Sequence, residues 1–229
     1  FKDLCLINEL EMSKKLITLG FAEYQKLNLG NDFYHGAFQL ISSGFERLMK
    51  CHICLGFHEQ NQCYPKGEVL KKPGHDLSKL KTIIVNQYFS VNGIKMLRAD
   101  YHLLKEDEKL QQLIDLLSIF GECARYYHFD VITSTKKPTP DVRSAWMEYE
   151  TSIILSDSNL ISKIGEIQFQ DEIYNQVKSK ILITLERFVR AISRQFTMGK
   201  LGGKATQYSP ILSQFFMLRD EQLGMTDYR

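Results

Sequence analysis

The chain has 229 residues, of which 29 are Lys or Arg and 27 Asp or Glu, for a formal net charge of +2. With 44% hydrophobic and 24% charged residues, the composition is that of a folded globule. It excludes disordered and collagen-like chains and a globally basic or acidic protein, while leaving room for a local charged patch. No run reaches the ~18–20 consecutive apolar residues of a membrane-spanning helix. The segment FKDLCLINELEM lacks the basic, apolar and small-residue succession of a secretory signal. Five cysteines, Cys5, Cys51, Cys54, Cys63 and Cys123, are an odd number scattered along the chain, which reads as reduced thiols rather than a disulfide framework. The expectation is a cytoplasmic protein with no membrane attachment.

Hydrophobic spacing predicts helix almost throughout. From Asp32, a plausible N-cap, to Phe57, the residues Tyr34, Phe38, Ile41, Phe45, Leu48, His52 and Leu55 recur at steps of three and four and so share one helical face. Residues 59–74 hold Asn61, Pro65, Gly67, Pro73 and Gly74 and read as a long loop. The next helix begins near His75-Asp76, runs through Leu77, Leu80, Ile84 and Tyr88, and stops around Asn92-Gly93. A short helix near Lys95–Leu104 follows. A longer one then runs from about Lys105 to Tyr127, with Leu110, Leu113, Ile114, Leu117 and Phe120 on one side. Its acidic start, Glu106, Asp107 and Glu108, suits the positive end of a helix.

The clearest internal boundary is TSTKKPTPD, residues 133–141, because Pro138 and Pro140 each bias the preceding residue away from helix. It separates a core over 1–132 from a C-terminal extension over 141–229 that packs on it, the two together forming one domain or two subdomains. Asp141 caps a helix through Trp146 and Ile153. The last long helix covers roughly Glu166–Met198, with Val177, Ile181, Leu185, Phe188, Ile192 and Phe196 as its apolar stripe. Gly199, Gly202 and Gly203 then stop it, and a short helix around Pro210–Leu218 packs back on the body. The fold class expected is all-α, a helical bundle.

The most metal-like cluster is Cys51, Cys54, His58 and Cys63, a C-x2-C pair with two further N or S ligands nearby. Zinc knuckles hold such a pair in a turn, whereas here it lies inside a periodic helix with no second C-x2-C. Buried packing of the thiols is the favoured reading, with no metal and no cofactor. The chain contains no GxSxG, no GxxxxGK[ST] and no GxGxxG after a strand, which disfavours common acyl-transfer and nucleoside-triphosphate chemistry. GKLGGK, residues 199–204, reads as a helix stop followed by a solvated loop rather than a phosphate cradle.

Residues 33–80 carry a family resemblance. FYHGAFQLISSGFERLMKCHICLGF, a polar loop and then GHDLSKL place Glu46 four residues before Lys50 on one helix and open the next with His75 and Leu77. GECARYYHFD, residues 121–130, ends a later helix in Ala-Arg-Tyr. This pattern resembles the HEPN superfamily, all-α domains of bacterial RNA-targeting defence systems. The resemblance implies a HEPN-like helical core extended by C-terminal helices, dimerisation and action near RNA. It further implies a metal-independent endoribonuclease in a defence or stress pathway, or else a non-catalytic module that dimerises or holds a partner.

The ribonuclease signature of that family is an Arg followed four to six residues later by a His. Arg47-x4-His52 has the spacing, but five residues turn a helix by about 500°, or about 140° net, so the two side chains point to different sides. His52 also falls on the apolar stripe. Arg125 and His128, three apart, can share a face and are the first catalytic candidates, with Arg47 and His52 second. A separate candidate is electrostatic. Between Lys178 and Lys204 seven basic residues face one acid, Glu186. Helical geometry puts Lys180, Arg187, Arg190 and Arg194 on one side, opposite the apolar stripe, as a ridge for the phosphates of RNA.

Overall fold

The computed structural model describes residues 1–31, 33–122, 127–134 and 141–229, with only the backbone of Tyr127, His128 and Asp130. The expected N-cap Asp32, the candidate Arg125, the side chain of candidate His128, and the Pro138–Pro140 boundary lie outside the described residues. Among the described residues there is no strand or sheet, and the chain is all-α.

Twelve stretches of α-helix follow one another among those residues: α1 Lys2–Gln25, α2 Tyr34–Asn61, α3 Gly67–Lys71, α4 Leu77–Ile83, α5 Lys95–Glu106, α6 Glu108–Glu122, α7 Tyr127–Ile132, α8 Val142–Leu155, α9 Ser158–Ile161, α10 Gln170–Met198, α11 Gly202–Tyr208 and α12 Ser213–Phe216. α4 continues as a single wider turn, Ile84–Tyr88. Two expectations are corrected. The loop over 59–74 is shorter, because α2 runs on to Asn61, where Gln62 turns left-handed at φ 56°, and Gly67–Lys71 forms a short helix. Residues 199–204 are not a solvated loop, because Gly202, at φ 87°, opens α11.

α1 and α2 form the long hairpin on which the rest is built. Two glycines set their separation. A Cβ at Gly20 would stand 2.6 Å from Ile41 Cγ1, and one at Gly44 would stand 2.6 Å from Ile17 Cγ1. Each helix thus offers a hole to the other's isoleucine. Ser13 Oγ donates to the Gly44 carbonyl at 2.9 Å, satisfying a buried hydroxyl at the same crossing.

The apolar stripe of α2 is buried as its spacing requires, from Phe38 through Leu55. It meets α10 through Phe45 and Phe188, whose rings lie 4.7 Å apart. α10 runs through the middle of the molecule and touches α2, α5, α6, α8, α11 and α12. Trp146 of α8 closes one end against Phe38, ring to ring at 4.4 Å. The helices after residue 141 therefore pack directly on α1, α2, α5 and α6. No described helix is long and apolar enough to cross a membrane.

Candidate functional site

Three of the residues that carry the sequence pattern, Glu46, Lys50 and His75, converge on one cleft. Glu46 sits on the flank of the α2 stripe, between the buried Phe45 and Leu48, and Lys50 follows one turn later, so both project beside the core rather than into it. His75 arrives from the other direction, one residue before the cap of α4. Asp76 Oδ1 accepts from Lys79 N at 2.8 Å, and Leu77 N donates to Ser118 Oγ at 2.9 Å, which pins the start of α4 to α6. The result is a three-membered cluster. Lys50 Nζ donates to Glu46 Oε1 at 2.6 Å, and His75 Nδ1 meets Glu46 Oε2 at 2.9 Å.

This cluster lines a cleft of about 440 Å³ whose floor includes Leu6, Cys51 and Cys54 and whose rim includes Arg47. Arg47 is paired with Glu9 of α1, and both side chains are about half exposed. The Glu46 carboxyl is pushed up by burial, but hydrogen bonds from Lys50 and His75 outweigh that and hold it below the ordinary carboxylate value. With the Glu46 carboxylate engaging Nδ1, Nε2 is the ring nitrogen left outside that contact, on a side chain that is 58% exposed. The cleft thus holds an oriented imidazole beside two cations. That arrangement can move a proton and hold an anion.

Burial disfavours the thiolate form of both cysteines in the cleft. Burial pushes the Cys54 thiol up to about 11 and the fully buried Cys51 thiol well above its ordinary value. The Cys51, Cys54, His58 and Cys63 cluster is dispersed: Cys51 and Cys54 sit inside α2, Cys63 is exposed, and His58 packs against the Tyr64 ring at 4.9 Å. Among the described residues no group of three or more His, Cys, Asp or Glu is placed to hold a metal ion.

Arg47 and His52 are not brought together. Arg47 lines the cleft, whereas His52 is completely buried and lies edge-on to Phe196, ring centres 5.9 Å apart. Neither His52 nitrogen meets a partner at hydrogen-bonding geometry. Burial drives its pKa down to about 3, offset only in part by the Tyr88 backbone.

The solvent-facing ridge on α10 is corrected. Arg190 and Arg194 are 6% and 7% exposed. Arg194 Nη1 donates to both oxygens of Asp100 at 3.0 and 3.1 Å. Arg190 Nη1 donates to the Leu218 carbonyl at 3.1 Å, and its Nη2 pairs with Asp220 at 2.8 Å. Lys180 pairs with Asp157, and Arg187 is half-buried. The physical reason is the position of α10: its first turns reach solvent, but from about Ile181 onward it is packed on most sides, so the face opposite its apolar stripe meets α5 and the C-terminal segment instead.

The sequence marks Glu46, Lys50 and His75 only as carriers of the family pattern, and neither Glu9 nor Asp100 stands out in it. Asp100 still had a signal, since it lies three residues after Leu97 and four before Leu104, an acid on an apolar stripe that demands a buried partner.

No protein-family model, curated protein or solved structure matches the chain. The cleft is read from its own chemistry.

Proposed function

We propose that this is a HEPN-like, RNA-associated protein whose α2–α4 cleft cleaves RNA without a metal. The observation that carries the reading is the Glu46–His75 pair set beside Lys50 and Arg47 in an open cleft. In this reading His75 Nε2 takes the proton of a ribose 2′-hydroxyl, which attacks the adjacent phosphorus. The P–O5′ bond breaks and the leaving 5′-oxygen takes a proton from solvent water in the open cleft, giving a 2′,3′-cyclic phosphate and a 5′-hydroxyl, and the His75 imidazolium returns its proton to solvent. Arg47 and Lys50 hold the non-bridging oxygens as charge builds on them. The exposed Arg47–Glu9 pair suits that role, because a solvent-screened ion pair exchanges one anionic partner for another at little cost.

The test is incubation of the purified protein with single-stranded RNA in a metal chelator, with analysis of the product ends. His75→Gln is expected to abolish cleavage at unchanged melting temperature, and Arg47→Ala and Lys50→Ala to reduce it by about 10²-fold, the scale of a lost charge-stabilising group. Arg125→Ala tests the sequence candidate alongside. Wild-type protein that leaves RNA intact would end the enzymatic reading. A second reading, a non-catalytic module that pairs with a second copy of the chain, is favoured by the exposure of Phe129, Val131 and Ile132 on the short helix α7. Its measurement is the solution mass of wild type against Phe129→Ser/Ile132→Ser.

A further inference from the structure

The arginines of α10 line a second cleft, about 720 Å³, between α10, α5 and the C-terminal turn at Asp220–Gln222. Arg187, Arg190 and Arg194 follow one another at three and four residues, so their guanidinium groups stack along one face. With Lys95 they put four cations in the cleft against two acids, Asp100 and Asp220.

The cations are incompletely matched. Arg187 makes no hydrogen bond or ion pair among the described residues. The Nε groups of Arg190 and Arg194 are buried without a partner. A guanidinium offers five donors, and buried charge of this kind is ordinarily paired in full. The weakest member of the cluster is its acid at the mouth. Asp220 holds Arg190 with a side chain that is 87% exposed, so it is an anion that can swing away.

A guanidinium fork matches carboxylate and phosphoryl oxygens alike, two at a time, but a phosphoryl group, with three terminal oxygens and up to two negative charges, can engage Arg187 and Arg190 together, which a halide or a single carboxylate cannot do as fully. The remaining walls, including Met96, Leu103, Ile183 and Leu223, are apolar, so the phosphoryl group has a nonpolar seat beside it. The volume is that of a small-molecule site. Two of its four cations, Arg190 and Arg194, are buried, with Arg190 held under the C-terminal segment by the Leu218 carbonyl and Asp220, while Arg187 is half-buried and Lys95 is exposed. A polymer backbone needs an open track, whereas a terminal phosphoryl group needs only an entrance.

We propose that this cleft binds an organic phosphate monoester, whose phosphoryl oxygens displace Asp220 from Arg190 and engage Arg187, while its apolar body rests on Met96 and Leu223. The site is distinct from the α2–α4 cleft and stands whether or not the protein cleaves RNA.

The test is calorimetric titration of the full chain with phenyl phosphate, inorganic phosphate and a single-stranded oligouridylate. Phenyl phosphate is expected to saturate at millimolar concentration or below and to bind about tenfold more tightly than inorganic phosphate. Arg187→Ala should weaken it about tenfold or more. Asp220→Asn, a change at an exposed residue, should tighten it severalfold by removing the competing carboxylate. His75→Gln should leave it unchanged, which separates this site from the cleavage reading. Failure of phenyl phosphate to saturate, indifference to Arg187→Ala, or weaker binding in Asp220→Asn would overturn the proposal. So would Arg187-dependent binding of oligouridylate that exceeds phenyl phosphate per phosphate, which would make the cleft a nucleic-acid contact.

Discussion

Acid should unfold this protein in part through one residue, His52. In the folded state its ring is fully buried and held neutral by that burial, with only the Tyr88 backbone to offset it, so that its pKa is about 3 against 6.5 for a free histidine. The folded state therefore binds fewer protons than the unfolded chain between those two values. Stability is fully present above pH 6.5 and falls as the pH drops toward 3. The gap between those two values caps the effect at about 5 kcal/mol, of which about 2 kcal/mol is already lost at about pH 5. Against a total of ~5–15 kcal/mol, that is enough to move the acid midpoint visibly. His52→Leu keeps a core side chain of similar volume and removes both nitrogens. Urea unfolding at about pH 7 and about pH 5 should show a drop about 2 kcal/mol smaller in the variant than in the wild type. Parallel pH profiles would refute the reasoning, because they would mean that the folded imidazole takes up a proton as readily as the unfolded one. The fully truncating change, His52→Ala, should cost ~2–5 kcal/mol at neutral pH through the cavity it leaves beside Phe196.

Other substitutions probe other parts of the fold. Gly44→Ala forces a methyl against Ile17 at the α1–α2 crossing and should destabilise by ~1–3 kcal/mol in urea melts, whereas Gly67→Ala, with nothing within 4 Å, should not. Asp100→Ala leaves Arg194 charged and unpaired in the interior and should cost ~3–5 kcal/mol, while Asp100→Leu/Arg194→Met should recover most of it. A double variant no more stable than the single would show that the pair is not the source of the loss. Glu150, raised by burial to about 7 despite a bond from the Trp146 side chain, works in the opposite direction to His52. It holds a proton that the unfolded chain releases above about pH 4.5, so its contribution is lost as pH rises toward 7. Glu150→Gln should remove a downward slope of the order of 1–2 kcal/mol across that window.

Whatever depended on periodicity was legible in the sequence. The stripes Phe38–Leu55, Leu110–Phe120 and Val177–Phe196 are buried, because a 3.6-residue repeat of apolar side chains has one way to leave water. Asp141 caps its helix through Arg143 N, as its position before an apolar run requires. What was not legible depended on contacts distant in sequence. Glycines 199, 202 and 203 carry a stop signal, yet Gly202 uses its left-handed backbone to start α11 rather than to end order. A helical wheel places Arg190 and Arg194 opposite an apolar stripe, but it cannot say that α5 brings Asp100 to that side. The same limit hid the cleft. Glu46 and His75 are 29 residues apart, and their meeting depends on Ser118 of a third helix holding the start of α4 in place.

Two arginine–carboxylate pairs in this molecule illustrate why burial, rather than charge count, decides what a cation can do. Arg47–Glu9 and Arg194–Asp100 share the same chemistry, but the first is about half exposed on both sides and the second is 9% and 5% exposed. In water the first pair is screened and contributes ~0–1 kcal/mol, so exchanging Glu9 for another anion would cost Arg47 little. The second cannot separate without stranding a charge in the interior, which fixes Arg194 and, through it, the spacing of α5 and α10. Arg190 lies between these cases, buried itself but facing an exposed Asp220. It is the buried cation whose partner can be replaced without breaking the core. The excess of positive charge between residues 178 and 204 is therefore divided, part holding helices together and part, at Arg187 and Arg190, able to receive an anion from outside.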